Sequence, residues 1–327
     1  MKNSEKLYPI ILFTYNRPWH TEQVLQALEK NELADQSHLI VFVDGPKANA
    51  SEEQLKKIKQ VRELVQSKKW CGSVEYHIAE QNIGCRNSII AGITQVLSTY
   101  EAAIILEDDI VTSPYFLKYM NTCLNYYRVF KSVISISGYN LPPNRIKIPN
   151  EYKYDVYVSL RQQNWGWGTW RDRWESVDWD KNFIKDFIAD KTLVEAFNRG
   201  GDDLSKMLQE EYEGKSDAWD IQFTFHHFKH HGVSIIPCKS YTNNVGLDSS
   251  GTHTINQHTS SFFNDLSMAA ENPKLLNIVY EDIRLINAFY NAYSAKKRPL
   301  WQKAINRLSR ILGGENVFVI KKKVYVD

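Results

Sequence analysis

Five short apolar runs, each followed or preceded by a stretch with helical spacing, fill the first 140 residues, and this alternation leaves few architectures open. In order they read YPIILFTYN, HLIVFVDG, VEYHIAE, AAIILEDDI and VISISGYN. Between them lie RPWHTEQVLQALEKN, SEEQLKKIKQVRELVQ, GCRNSIIAGITQVLSTY and SPYFLKYMNTCLNYY. Pro18 suits a first helical turn, where the missing N–H has no intrahelical partner to lose. Ser51 and Gln54 have capping-box spacing, and Leu55, Ile58, Val61 and Val65 recur along one helix face. Near-continuous apolar strands separated by amphipathic helices predict an α/β fold, with a mostly parallel sheet covered on both faces.

Ligands of such sheets sit outside the carboxyl ends of the strands. Those ends read TYNR, VDGP, AEQN, EDD and SGYN, so polar and acidic residues gather where the fold places a pocket. Glu107, Asp108 and Asp109 stand in a row directly after five small or apolar residues. Adjacent carboxylates repel, and charged groups are rarely buried without a partner. If the strand persists, Glu107 and Asp109 share one side and Asp108 points to the other. Converging carboxylates suit a hard cation such as Mg²⁺ or Mn²⁺, which removes the repulsion and holds a diphosphate. The plainer alternative is a solvated strand end with Asp108 or Asp109 as a helix cap, although Ser113 before Pro114 already fits that place. Neither a GxGxxG nor a P-loop sequence is present, so a nucleotide must be held in some other way.

The texture changes after Pro149. YKYDVYVSLRQQNWGWGTWRDRWESVDW is rich in Trp, Gly and Arg, and the alternation is lost. We read 1–150 as one half, 151–265 as a second lobe of the same domain and 266–327 as a C-terminal helical tail. Aromatic residues make up 13% of the chain, with nine Trp, which argues for a site that uses flat side chains. Trp165 and Trp167 around Gly166 would form such a wall, since Trp stacks on sugar faces and Gly admits a ligand to the backbone. Trp170 and Trp174 read as packing. The HHFKHH cluster lacks an acidic or Cys companion and reads as surface.

A net charge of +2 excludes a chain-wide attraction to nucleic acid. Cys71, Cys85, Cys123 and Cys238 lie far apart, form no CxxC pair and read as the reduced thiols of a cytosol. The opening MKNSEKLYPIILFTYN has no long apolar core before a small-residue site, so no signal peptide is expected. LWQKAINRLSRIL, flanked by KKR and KKK, is a basic amphipathic helix within residues 296–323. It suits either an anionic membrane surface or docking on the domain, and gives a cytoplasmic protein, at most peripheral on the inner membrane face.

The series FTYNRP, VFVDG, QNIGCRNSIIAGI, AAIILEDDI and SPYFLKYM resembles the donor-binding half of GT-A-fold glycosyltransferases. It is most similar to the N-acetylglucosaminyltransferase I group, whose acidic motif reads Glu-Asp-Asp. The resemblance covers residues 8–140 and continues more weakly to about 255. It implies an inverting, metal-dependent transfer of a sugar, GlcNAc-like, from a UDP-sugar to a glycan or lipid-linked acceptor, as in assembly of a surface polysaccharide such as O-antigen or capsule. Asp109 would ligate the Mn²⁺ or Mg²⁺ and Asp108 would contact ribose or sugar, with Glu107 beside them. Arg17 falls where the family has a nucleotide-contacting Arg, and Asp44 where it has an acid on the uracil ring. Arg86 could add charge near the phosphates, though a lone basic residue there also reads as structural. In KSDAWDIQF the catalytic base would be Asp220, directly after Trp219. Ile221 replaces the family's second acid, and Asp217 three residues earlier, on the same helix face, remains an alternative. His253 falls in a late loop that many GT-A enzymes order over the donor.

Two other readings keep parts of this pattern. A sugar-1-phosphate nucleotidyltransferase would use the same nucleotide site but needs a Gly-rich basic loop, which TYNRPWHTEQ lacks. A non-catalytic carbohydrate-binding protein would need the tryptophans and not the carboxylates.

Overall fold

The computed structural model describes residues 6–248, 262–294 and 305. The first half alternates as its sequence predicts. β1 (Ile10–Thr14), β2 (His38–Val43), β3 (Ser73–Ile78) and β4 (Ala102–Glu107) alternate with helices α1 (Pro18–Glu29), α2 (Glu52–Val65) and α3 (Cys85–Thr99). Pro18 occupies the first turn of α1, and Ser51 and Gln54 close the capping box of α2. Ile58, Val61 and Val65 are buried, while Leu55 stays exposed.

One feature of this half departs from the sequence reading. The chain turns at Asp108 and Asp109 and starts a separate short strand, β5 (Ile110–Thr112), before α4 (Phe116–Tyr127) and β6 (Val133–Ser137). The expected strand alternation of the three acids therefore stops at Glu107. Ser113 does not cap α4 either: its hydroxyl is buried without a hydrogen-bond partner.

The second half adds β7 (Val156–Ser159), β8 (Trp167–Trp170), the four-residue α5 (Arg171–Trp174), α6 (Asn182–Ala189), α7 (Lys191–Phe197) and α8 (Leu204–Tyr212). Then come α9 (Trp219–Lys229), β9 (Val233–Pro237), β10 (Thr242–Asn244) and α10 (Ile283–Tyr293). Eight strands form one sheet in the order β3-β2-β1-β4-β8-β6-β9-β7. β8 runs antiparallel between β4 and β6, and β7 runs antiparallel to β9; the other pairings are parallel. Because β8 is inserted in the middle, both halves of the chain build a single sheet. β10 pairs antiparallel with β5 in a separate ribbon.

Both faces of the sheet are covered at β1, β2 and β4, which explains their near-unbroken apolar runs, while the edge strand β3 is partly exposed. Ile10, Leu12, Leu39, Val41, Ile104 and Leu106 share one core with α1, α2 and α4. The alternate residues Ile11, Phe13, Ile40, Ala103 and Ile105 share the other with α3, Trp174, Trp219 and Phe223. Fully burying one Leu or Ile side chain contributes about 1.5–3 kcal/mol. A satellite core unites α6, α7 and α8 around Ile221 and Phe225. α9 thus carries two apolar faces: Trp219 and Phe223 meet the sheet, Ile221 and Phe225 the satellite. α10 docks through Leu285, Phe289 and Ala292. The basic helix expected within 296–323 and His253 lie outside the described residues, apart from Ile305. Among the described residues no helix is long and apolar enough to cross a membrane.

The HHFKHH cluster is not all surface. His226 and His227 face inward on α9, and His230 and His231 face out. Nδ1 of His227 donates to the carbonyl of Phe223 at 2.7 Å, and Nε2 lies 2.9 Å from the Ser135 hydroxyl. Burial lowers the His227 pKa to about 3 and that of His226 to about 4. Unfolding lets both take up protons below the ordinary value of 6.5. Their contribution to stability is present above that value and is lost as pH falls toward the folded pKa values. Each contributes about 1.4 kcal/mol of loss per pH unit in that window. Between pH 6.5 and 5 the wild type is expected to lose about 2 kcal/mol more than His227→Asn, as read from urea unfolding.

Candidate active site

Register places the site. Phe13 of β1 is level with Phe42 of β2 and with Glu107 of β4, so the segments after these strands emerge at one edge. Trp167, first residue of β8, is level with Ile105 and Ser137, which brings Asn164–Gly166 to the same edge. Tyr15–Arg17, Asp44, Asp108, Asp109 and residues 164–166 therefore meet there, although they come from distant parts of the chain.

Arg17, directly before α1, donates to Asp108 Oδ1 and to Asp109 Oδ2, the latter at 2.9 Å. The turn after Glu107 is what lets both aspartates reach one guanidinium; a continuing strand would have sent them to opposite sides. Burial alone would lower the Arg17 pKa, but the two aspartates outweigh it and hold the charge in place. Glu107 is pushed up to about 8 by burial first, then by the charges of Asp109 and Asp108. Asp109 is also raised, by burial, against the opposing pull of Arg17.

The β5–β10 ribbon brings a second segment over these acids. The N–H of Val245 donates to the carbonyl of Asp109 at 2.8 Å. A Cβ on Gly246 would lie 2.3 Å from Asp109 Oδ2 and 2.8 Å from an Arg17 nitrogen. His20 Nε2 lies 3.1 Å from Asp248 Oδ2, tying α1 to the same segment. Gly246→Ala must therefore separate Asp109 from Arg17 or lift the ribbon. It is expected to cost about 1–3 kcal/mol in urea unfolding, the usual range for overpacking.

The second lobe supplies Asp220 in the first turn of α9, where a carboxylate is favoured by the helix dipole. Asn164 Nδ2 donates to Asp220 Oδ2 at 3.4 Å, and the Asp220 charge helps raise Glu107. Asp217 precedes α9 and so does not share a helix face with Asp220, contrary to expectation. It stands three residues before Asp220, and its charge raises the Cys85 thiol pKa together with those of Glu107, Asp108 and Asp109. Cys85 is exposed as a residue, but the protein and these acids around its sulfur keep the thiol protonated.

Other expected site residues have different work. Asp44 Oδ1 accepts from the N–H of Gly45 at 2.8 Å and of Ile83 at 3.3 Å, and Oδ2 accepts from Asn82 at 2.8 Å. It joins the loops after β2 and β3, which press so closely that a Cβ on Gly45 would lie 2.4 Å from Gln81 backbone. Little acceptor capacity is left for a base edge. Arg86 does not face the acids as a phosphate ligand. It donates to Glu211 at 3.0 Å and to Gln222, because fully buried Glu211 requires a counter-charge.

The tryptophans form core, not a wall. Trp167 is fully buried and stacks on Trp219 with centroids 5.4 Å apart, while Trp165 packs edge-on against Tyr139 at 4.4 Å. Gly166 has φ +75°, and a Cβ there would meet Thr242 at 2.8 Å, so its small size serves backbone packing and not ligand access. The central place of β8 in the sheet is the reason. Trp19, beside Arg17, is instead 57% exposed and touches His20 edge-on at 5.0 Å. Sequence reasoning missed Trp19, His20, Asn164, Gly246 and Asp248. Only Gly246, in a Gly/Asn/Ser loop after a strand, carried a local signal.

An edge of this kind, acids under one arginine with a carboxylate facing them from a second lobe, defines an α/β protein with a polar strand-end site. No protein-family model and no curated protein matches the sequence. Solved structures that align with this chain include S. aureus TarS 1-349, at 14% identity and TM-score 0.41 over 72% of this chain and 60% of that one. GalNAc-T7 with UDP, GalNAc and Mn²⁺ aligns at 12% identity and TM-score 0.41 over 72% and 43%. Mouse xyloside xylosyltransferase 1 in its apo form aligns at 8% identity and TM-score 0.35 over 68% and 82%. The alignment thus spans less than two thirds of the TarS and GalNAc-T7 chains.

Proposed function

We propose that this chain is a GT-A-type glycosyltransferase that moves a sugar from a nucleoside diphosphate sugar, UDP-linked, to a hydroxyl of a glycan or lipid-linked acceptor. The observation that carries the reading is the pairing of Arg17 with Asp108 and Asp109, with Asp220 facing the same acids from the second lobe. Arg17 is a fixed cation with a fork of donors, suited to phosphate oxygens. Asp109 keeps some exposure and offers hard oxygen, which fits Mn²⁺ or Mg²⁺. Among the described residues no group of three or more His, Cys, Asp or Glu could hold a metal. When bound, such an ion would neutralise charge on the departing diphosphate.

Asp220 is assigned the base, with Asp217 as the alternative. The acceptor oxygen attacks the anomeric carbon, the bond from that carbon to the diphosphate oxygen breaks, and the electron pair leaves with the diphosphate. The acceptor proton passes to the carboxylate. Attack opposite the leaving group inverts the configuration. Asp108 then positions donor hydroxyls, and Asp44 contributes to the base pocket mainly by shaping it. Residues 1–150 form the donor half, 151–265 the acceptor side and 266–327 the tail. Work at the cytoplasmic membrane face in surface polysaccharide assembly belongs to the same proposal.

The test is incubation with a panel of UDP-sugars and Mn²⁺, following slow release of UDP. One UDP-sugar hydrolysed well above the others supports the reading. No release from any, together with no effect of UDP on the melting temperature, overturns it.

A further inference from the structure

A cavity of about 610 Å³ lies in the second lobe and is lined by none of the donor-site residues described above. It is lined by Lys181, Met207, Glu210, Gly214, Lys215, Ser216 and Asp217, from α8, the turn after it and the segment before α6. Its size falls in the range of ligand pockets, about 300–1,000 Å³. Asp217 forms part of its wall and stands three residues before Asp220, at the start of the segment that leads into α9. The chain that forms this part of the cavity wall therefore runs directly on to the candidate base.

The lining specifies a chemical class. The lining carries two lysines and two acids, each lysine already paired with a glutamate outside the lining, so the formal charges cancel and neither a polyanion nor a cation is favoured. Ammonium and hydroxyl donors alternate with carboxylate and hydroxyl acceptors, and no aromatic side chain is present. Groups that both donate and accept at several points suit a neutral chain of hydroxyls. The wall is also fixed relative to the donor half. Lys181 lies 2.7 Å from Glu211 Oε1, the same oxygen that Arg86 at the start of α3 reaches at 3.0 Å. Glu211 is fully buried, so it acts as a rigid link between the cavity and the strand-end site.

We infer that this cavity seats the acceptor: a neutral saccharide held by Lys181, Glu210, Lys215 and Ser216, with its reacting end directed past Asp217 toward Asp220. The inference rests on the glycosyl-transfer reading for its direction, but not for the saccharide site itself. Glu211 is a positioning residue in this scheme, since it touches no substrate.

The experiment is ligand-observed NMR with neutral disaccharides of the common hexoses and N-acetylhexosamines, with and without UDP and Mn²⁺. Wild type is compared with Glu210→Trp, which fills the cavity from a partly exposed helix position whose ion-pair partner is Lys206. At least one disaccharide is expected to bind wild type saturably and to bind Glu210→Trp at least tenfold more weakly, with the UDP-induced rise in melting temperature equal in both. Equal saccharide binding in the two proteins, or none to the wild type while UDP binds, overturns the inference. Saccharide binding that the variant abolishes without any effect of UDP on either protein keeps the cavity as a sugar site and removes the transferase reading instead.

Discussion

Asp220→Asn is expected to slow sugar transfer by about 10²- to 10⁴-fold, the usual contribution of a positioned general base. UDP-dependent stabilisation should remain that of wild type. Asparagine keeps the volume of the side chain and an oxygen that Asn164 can reach, so local packing is preserved. It also removes a negative charge from the first turn of α9, which costs about 0.3–1 kcal/mol of helix stability. That loss is small beside the effect on rate, and urea unfolding separates the two. The removed charge is one of those that raise Glu107, so the acid cluster is relieved and not disrupted. Asp217→Asn should leave transfer within about tenfold of wild type, because that residue stands outside the helix and borders the acceptor cavity. Full activity in Asp220→Asn, with loss in Asp217→Asn, reverses the assignment.

The first five long strands were legible from their alternation with helices, and β1, β2 and β4 also from near-unbroken apolar runs of the kind a sheet buried on both faces demands, whereas β3 and β6 carry polar residues. Arg17, Asp108, Asp109 and Asp220 were legible as residues because charges at strand and helix ends are conspicuous. Their geometry was not. Alternation along a strand predicts side-chain directions only while the strand lasts, and β4 ends one residue before the aspartates. The tryptophans misled for a related reason. Glycine and tryptophan together signal either an open sugar platform or tight packing of large rings, and the topology decides between them. Nothing local in WGTW announces that this segment is inserted antiparallel between β4 and β6. Likewise the contacts of His20 with Asp248 and of Arg86 with Glu211 join residues more than a hundred positions apart, where no periodicity can pair them.

In Asp109→Ala, the rise in melting temperature that UDP and Mn²⁺ together give the wild type is expected to vanish. At a ligand concentration 100 times Kd, binding stabilises a folded protein by about 2.7 kcal/mol, a rise of a few degrees for a chain of this length. The unliganded variant should be no less stable than wild type. Three carboxylates crowd around one arginine, and Asp109 is the largest electrostatic contributor to the raised pKa of Glu107. Removing it lessens that repulsion while Arg17 keeps Asp108. Unchanged apo stability with lost ligand response is the signature of a group held in place for what it binds. A structural acid would show the opposite, because deleting one partner of a buried pair costs about 3–5 kcal/mol. Arg17→Ala separates the two cations that could serve the diphosphate. If Asp109 holds a metal, that variant should keep a Mn²⁺-dependent response to UDP, weakened by the loss of one charge-assisted contact. A wild-type response that needs no metal, survives in Asp109→Ala and disappears in Arg17→Ala would instead make the arginine the sole cation of the site.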